Sequence, residues 1–322
     1  MRTRPLSDGV DVRAIASALE RWLVEKTDWK QPHVLSISAP EGTGTGDFIW
    51  LVSVVEESDR SATASQYALR IHRSSSTIRN FDRSFKMIHA LSSIEDVPVP
   101  DAIKFESNSD YFGAQFYLMS HIAGRVAPDH PPYTFESWVR DASPREQEQL
   151  WINVIDVVCA LHSIDPGHDA FSFLGAGHVS SGRDHTLATW KTAIEKVDDI
   201  ERRNHILSRL DRLSSAAPPL GGPDCVVWGD CRLPNVIFRG SEVAALIDFE
   251  DARLDQPEVD LAMWLLQDDL YTRGLGLSRL PGFPSHEETI ERFEEAIGRK
   301  VVDLGWWSEY CRFQLSLTGR LR

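Results

Sequence analysis

Residues 226–250 read VVWGDCRLPNVIFRGSEVAALIDFE, a short β island in a half of the chain otherwise patterned for helices. Residues 236–238 and 244–247 are apolar strand stretches, and Gly240-Ser241 between them supplies turn chemistry, so the spacing predicts an antiparallel hairpin. A hairpin brings the residue before its first strand beside the residue after its second. Those residues are Asn235 and Asp248, whose midpoint falls between Ser241 and Glu242. An amide oxygen and a carboxylate therefore converge at the open end. Hard oxygen ligands of low total charge suit Mg²⁺, which leaves its other contacts to waters and substrate phosphates. Asp230 enters the same end, where a carboxylate can accept a proton from a substrate hydroxyl, and Pro234 stiffens the connection to Asn235. Singly, each acidic residue reads as a cap or a surface charge. The set reads as a site.

The rest of the chain frames that island. Apolar spacing predicts a helix over 12–24, strands over 48–55 and 67–71 with a polar stretch 56–66 between them, and a helix over 81–91 ended by Pro98 and Pro100. A short strand over 116–119 is closed by Gly124. Beyond it, helical patterns cover 145–163, 186–213, 258–270, 287–297 and 306–317. The expectation is an α+β chain with a β-rich N-terminal lobe, residues 1–122, and a mainly helical C-terminal lobe, residues 123–322, joined by a hinge near 120–124. At 322 residues the chain has length for about two cores.

Composition removes several classes of function. With 42% hydrophobic and 25% charged residues the chain has the profile of a folded globular protein. Its longest apolar run, residues 261–266, is far short of the roughly 20 residues a membrane span needs. The net charge of −14 disfavours binding to nucleic acid or to anionic membrane surfaces. Cys159, Cys225, Cys231 and Cys311 are scattered without zinc spacing and read as buried small hydrophobes in a reducing compartment. Residues 1–10 lack the apolar stretch of a secretory signal, so a cytoplasmic location is expected.

Trp228-Gly229-Asp230, Asn235 and Asp248-Phe249-Glu250 together resemble the catalytic segment of the aminoglycoside phosphotransferase family, protein-kinase-like phosphotransferases whose pattern is H-G-D-x-x-x-x-N followed by D-[FW]-E. Asp260-Leu261-Ala262 resembles the family's D-L-A, whose Asp buttresses the catalytic loop, and Ala160-Leu161-His162 resembles its A-L-H. Residues 274–282 and 287–298 look like the C-terminal helices of relatives that occur beside, or fused to, acyl-CoA dehydrogenases. The resemblance covers roughly residues 30–317. It implies a two-lobed kinase-like fold, ATP and Mg²⁺ as cofactors, Asp230 as catalytic base, Asn235 and Asp248 as metal ligands, and a small-molecule hydroxyl as acceptor. Acceptors in the family include aminoglycosides, macrolides, amino alcohols and hydroxyacyl compounds. Trp228 departs from the family's His, and offers one donor and no acceptor.

The N-terminal half supplies the expected nucleotide end. Gly44-Thr45-Gly46 precedes a strand, and such glycines let backbone N–H groups approach phosphates. Neither a P-loop nor a dinucleotide fingerprint is present. Tyr67-Ala68-Leu69-Arg70 resembles the kinase V-A-I-K, with Arg70 at the lysine position, where a guanidinium can clamp phosphate oxygens. The family's acidic partner for that residue falls on Ser84, with Asp82 two residues away as a substitute or a plain helix-start charge. Ser120 and Ile122 fall where hinge backbone groups would meet adenine, and His121 reads as a hinge surface residue. Asp268-Asp269 reads as a solvated helix end in preference to an acceptor contact, and His162 as a satisfied helix-end histidine. Trp228 and Ser84 also motivate a second reading, a nucleotide- or partner-binding module without turnover. A protein kinase is disfavoured because no A-P-E follows Asp248-Phe249-Glu250 at activation-segment distance.

Overall fold

The computed structural model describes residues 11–40, 47–56, 64–73, 81–175 and 181–319. Helix α1 (Val12–Lys26) is capped by Asp11, whose carboxylate accepts the N–H groups of Arg13 and Ala14. Its buried Leu19, Trp22 and Leu23 pack on one face of a five-stranded antiparallel sheet. The strands are β1 (Pro32–Ser38), β2 (Phe48–Glu56), β3 (Ser65–Ile71), β4 (Ala102–Glu106) and β5 (Phe116–Ser120), in the spatial order β1-β2-β3-β5-β4.

Strand parity decides what the other face carries. Trp50, Val52, Val54, Leu69, Ile71, Phe116 and Leu118 join the cluster beneath α1. The alternate residues Ala68, Tyr117 and Met119 belong to the larger core shared with the C-terminal half. Arg70 falls on this second side, against helix α2 (Phe81–Leu91). On α2 the buried Phe81, Ser84, Ile88 and Leu91 follow helical spacing, which turns Ser84 inward and leaves Asp82 outside.

The C-terminal half is mainly helical, as expected. Helix α3 (Pro144–His162) opens with a capping box between Ser143 and Glu146. The stretch expected as one helix over 186–213 is two, α4 (Gly182–Ile194) and α5 (Ile200–Ser215), because the Asp199 carboxylate starts a new helix by accepting the Arg202 N–H. Strand β6 (Arg125–Val126) pairs with β8 (Val236–Arg239), which pairs with β9 (Glu242–Leu246). Strand β7 (Cys225–Val227) pairs with β10 (Arg253–Asp255). Helix α6 (Glu258–Tyr271) is buried along most of its length, with Trp264 edge-on to Trp151 at 4.8 Å. Helices α7 (His286–Ile297) and α8 (Leu304–Leu317) complete the fold. Residues 274–282, expected as helix, form a short 3₁₀ turn and loop, where Gly276 adopts a φ of 70° and Pro281 interrupts. Among the described residues no helix is long and apolar enough to cross a membrane.

Candidate active site

The loop between β7 and β8 is held from below. Asp260 of α6 is fully buried and accepts the N–H groups of Trp228 at 2.8 Å and Gly229 at 2.7 Å, while His162 Nε2 lies 2.9 Å from the same carboxylate. Gly229 has a φ of 82°, and a Cβ there would sit 2.3 Å from the Asp251 carbonyl oxygen, so only glycine lets the two loops touch. Its own carbonyl accepts the Gln314 amide of α8 at 2.8 Å. The expected buttress at Asp260 is therefore in place. His162 is satisfied on one side only, since its Nδ1 is buried without a hydrogen-bond partner.

Trp228, at the position where the resembled pattern has His, makes a bond of its own. Its indole Nε1–H donates to the Ile247 carbonyl at 3.0 Å, tying the Asp230 loop to the strand that leads into Asp248. The ring lies 6.0 Å from Phe249. One donor is all this task requires.

Asp230 is 1% exposed, and its Oδ2 accepts the Asn235 Nδ2 at 2.8 Å and the Arg232 Nε at 3.3 Å. Asn235 also donates Nδ2 to the Asp230 carbonyl, which leaves its Oδ1 for a cation. The hairpin forms, but not in strict mirror register. Val236 pairs with Leu246 and Arg239 with Glu242, with a bulge between Ile237 and Phe238. The Asn235 carbonyl consequently accepts the Ile247 N–H at 3.0 Å, and Asp248 stands one residue further along. Asp248 has a φ of 63°, a left-handed conformation that Asp tolerates better than most residues. An amide oxygen and a carboxylate at one hairpin end are a donor set that fits Mg²⁺.

Arg70 reaches this end from the N-terminal sheet. Its Nε donates to Asp47 at 2.9 Å, Nη1 to Tyr117 at 3.1 Å and Ser84 at 3.4 Å, and Nη2 to Asp248 at 3.3 Å and to Glu250. Burial works against the guanidinium charge, but Tyr117, Asp248, Glu250 and Asp47 more than offset it and hold the pKa well above its ordinary value. Ser84 thus stands at the expected position. Asp82 does not substitute for it; it pairs with Lys86 at 2.5 Å on the outside of α2. The carboxylates on Arg70 come from Asp47, Asp248 and Glu250, all outside α2, and none was legible as its partner because nothing in local spacing joins them to Arg70.

Other expectations divide. The Ser120 N–H goes to the Asp101 carbonyl and its hydroxyl accepts the Asp101 N–H, while the His121 N–H goes to Gln66. His121 is half-buried, with Nε2 turned inside and unpartnered, so it is not a plain surface residue. Gly44, Thr45 and Gly46 lie outside the described residues. Asp268 is 2% exposed and pairs with Arg279 at 2.5 Å and His286 at 3.2 Å, so that end of α6 is not solvated. Arg232, absent from the sequence reading, links Asp230 to Asp129 at 2.9 Å and to the Tyr271 hydroxyl at 3.1 Å. Burial opposes its charge too, and the adjoining Asp230 and Asp129 carboxylates raise its pKa. Two open surface grooves, about 850 Å³ beside the Gly240-Ser241 turn and about 640 Å³ on α5, contain neither Asp230 nor Arg70.

This fold and site define a kinase-like phosphotransferase scaffold, and comparison with known proteins makes the membership specific. The profile of the Phosphotransferase enzyme family matches residues 52–295, and the chain belongs to that family. It is similar to acyl-CoA dehydrogenase family member 11 of Rattus norvegicus, 27% identical over 221 residues that cover 65% of this chain and 26% of that protein. A probable acyl-CoA dehydrogenase of Arabidopsis thaliana is 24% identical over 189 residues, 56% of this chain and 22% of that protein. The chain thus spans about a quarter of the length of these relatives. Among solved structures, a Ralstonia eutropha chain provisionally designated an aminoglycoside phosphotransferase superposes with a TM-score of 0.67 at 19% identity, covering 94% of this chain and 87% of that one. ADP-bound aminoglycoside phosphotransferase APH(2'')-Ib gives 0.56 at 16% identity, covering 95% and 92%. These likenesses establish the fold.

Proposed function

We propose that the protein is an ATP- and Mg²⁺-dependent phosphotransferase that moves the γ-phosphate to a hydroxyl of a small molecule. The observation that carries this reading is the gathering of two bonded pairs, Arg70 with Asp248 and Asn235 with Asp230, from both halves of the molecule at one hairpin end. In this reading residues 1–122 form the nucleotide lobe and residues 123–322 the catalytic and substrate lobe. Arg70 and the Gly44-Thr45-Gly46 segment receive the phosphates, and the Ser120 carbonyl and Ile122 N–H meet the adenine. Asn235 Oδ1 and Asp248 hold Mg²⁺, which when bound screens the charge of the phosphates. Asp230, fixed by Asn235 and Arg232, orients the acceptor hydroxyl and takes its proton. Positioning and charge complementarity supply most of the rate. The binding-module alternative loses one of its two motives, because Trp228 holds the Asp230 loop through its own bond to Ile247.

Solved neighbours carry AMP-PNP with hygromycin B, or gentamicin, which supports nucleotide use and an alcohol acceptor. An aminoglycoside is not implied here. Asp129, joined to Asp230 through Arg232, is already claimed by that arginine and by Tyr271, so it is not available to an acceptor's ammonium group. Four buried, unbridged cysteines suit a cytoplasmic setting; burial raises all four thiol pKa values, that of Cys159 to about 12. The test is ADP release from Mg-ATP across a panel of hydroxyl compounds of differing charge. Release stimulated by one of them supports the reading; tight Mg-ATP binding with no release for any acceptor favours the binding module.

A further inference from the structure

A buried guanidinium has to be neutralised where it sits, or its charge is strongly destabilising. Arg70 is 7% exposed and lies on β3, yet α2, the helix packed against it, contributes only a neutral hydroxyl, that of the fully buried Ser84. A hydroxyl can orient an N–H group but cannot balance its charge. Of the carboxylates on Arg70, Asp248 is the one read here as a metal ligand, and a carboxylate engaged by a cation has little charge left for Nη2. Glu250 remains. It is 4% exposed, pairs with the same Nη2, and stands two residues after Asp248 so that both side chains meet one nitrogen. The loop that carries it is fixed in place, since Arg83 of α2 donates to the Ala252 carbonyl at 3.1 Å and the Asp251 carbonyl packs on Gly229.

We propose that Glu250 is a positioning residue of Arg70, so that on the Nη2 side an ion pair between the two lobes joins the Asp47 pair made within the N-terminal lobe. Ser84 and Tyr117, 3.3 Å apart, complete the socket on Nη1, and Asp47 holds Nε. The consequence is that the Nη2 side of Arg70 is aimed only when the two lobes are together, whereas a carboxylate on α2, like Asp47 on Nε, would hold its side in either state. The inference rests on the reading of Arg70 as the phosphate-binding residue.

The experiment is calorimetric titration of Mg-ATP into wild type, Glu250→Gln, Arg70→Ala, the Arg70→Ala/Glu250→Gln pair and the Ser84→Asp/Glu250→Gln pair, with melting curves for each. Loss of a charged hydrogen bond that acts through Arg70 predicts binding about tenfold weaker in Glu250→Gln. The same change should add nothing on the Arg70→Ala background. Ser84→Asp returns a carboxylate to the Nη1 side and should restore binding to within about threefold of wild type, for a directly opposed charge pair. Binding by Glu250→Gln that equals or exceeds wild type would overturn the proposal, because Glu250 would then merely compete with phosphate for Arg70. So would additive losses with Arg70→Ala, which mark a direct contact to metal or nucleotide. A folded Ser84→Asp/Glu250→Gln protein that stays weak also overturns it, and if that pair does not fold the Arg70→Ala cycle decides alone. No Mg-ATP binding by wild type is a separate failure, that of the proposed function itself.

Discussion

Asp230 and Asp248 are both acidic, lie close to one hairpin end, and are expected to fail differently. Asp230→Asn keeps the shape that Asn235 and Arg232 grip, so Mg-ATP binding should survive while transfer to the true acceptor falls at least ~10²-fold, the low end for a positioned base. Asp248→Asn should weaken both. Paired titrations and rate measurements check this, and full turnover by Asp230→Asn would remove it from the base role. Trp228 gives a stability counterpart. Trp228→Phe keeps an aromatic ring but strips the donor from the Ile247 carbonyl, and should cost about 1–3 kcal/mol in urea unfolding. Asp82→Ala should change neither binding nor stability measurably, because its partner Lys86 sits on the same exposed helix face, where such pairs contribute about 0.3–0.5 kcal/mol.

The elements explain why some of this was readable from the chain. Arg70 and Ser84 stand face to face as the family resemblance implied, and the strand and helix that carry them were local signals. The hairpin was equally local, though its bulge at Ile237 and Phe238 could not be counted from turn residues alone. Strands β1 and β4 escaped because they are edge strands with one side half exposed, which blurs apolar alternation. The β7–β10 ladder and the Arg70–Glu250 pair join residues 25 or more positions apart, where sequence spacing carries no information. Gly229 belongs at this scale, since two loops meet on it. Gly229→Ala would force a left-handed φ and drive a Cβ into the Asp251 carbonyl, and should cost more than about 3 kcal/mol or prevent soluble expression. Wild-type-like melting of that variant would show that the loops can separate freely.

For the molecule as a whole, any ligand held between the lobes stabilises the fold by mass action. At 100 times its dissociation constant, Mg-ATP should add about 2.7 kcal/mol, read as a rise in melting temperature. Chelating the metal should reverse most of that rise, and Asp248→Asn should show little of it in the first place. An unchanged melting temperature at millimolar Mg-ATP would mean that the cleft is not a nucleotide site. The fold class and the members of the hairpin-end cluster were legible because each rests on runs of adjacent residues. The network around Arg232, with Asp129 and Tyr271, was not, because it assembles side chains from three distant parts of the chain.

The two N–H groups that Asp260 accepts bear on how the molecule breathes. Trp228 and Gly229 donate to a carboxylate that is fully buried under the centre of the core. Their amide protons cannot meet solvent unless α6 parts from the loop above it, and α6 is the helix around which the C-terminal core is packed. In deuterated water these two amides should therefore exchange only through global unfolding, at rates that track the free energy measured with denaturant. Amides of solvent-facing turns such as Gly240-Ser241 should exchange many orders of magnitude faster. The segment carrying Asp230 would then be among the last parts of the protein to open.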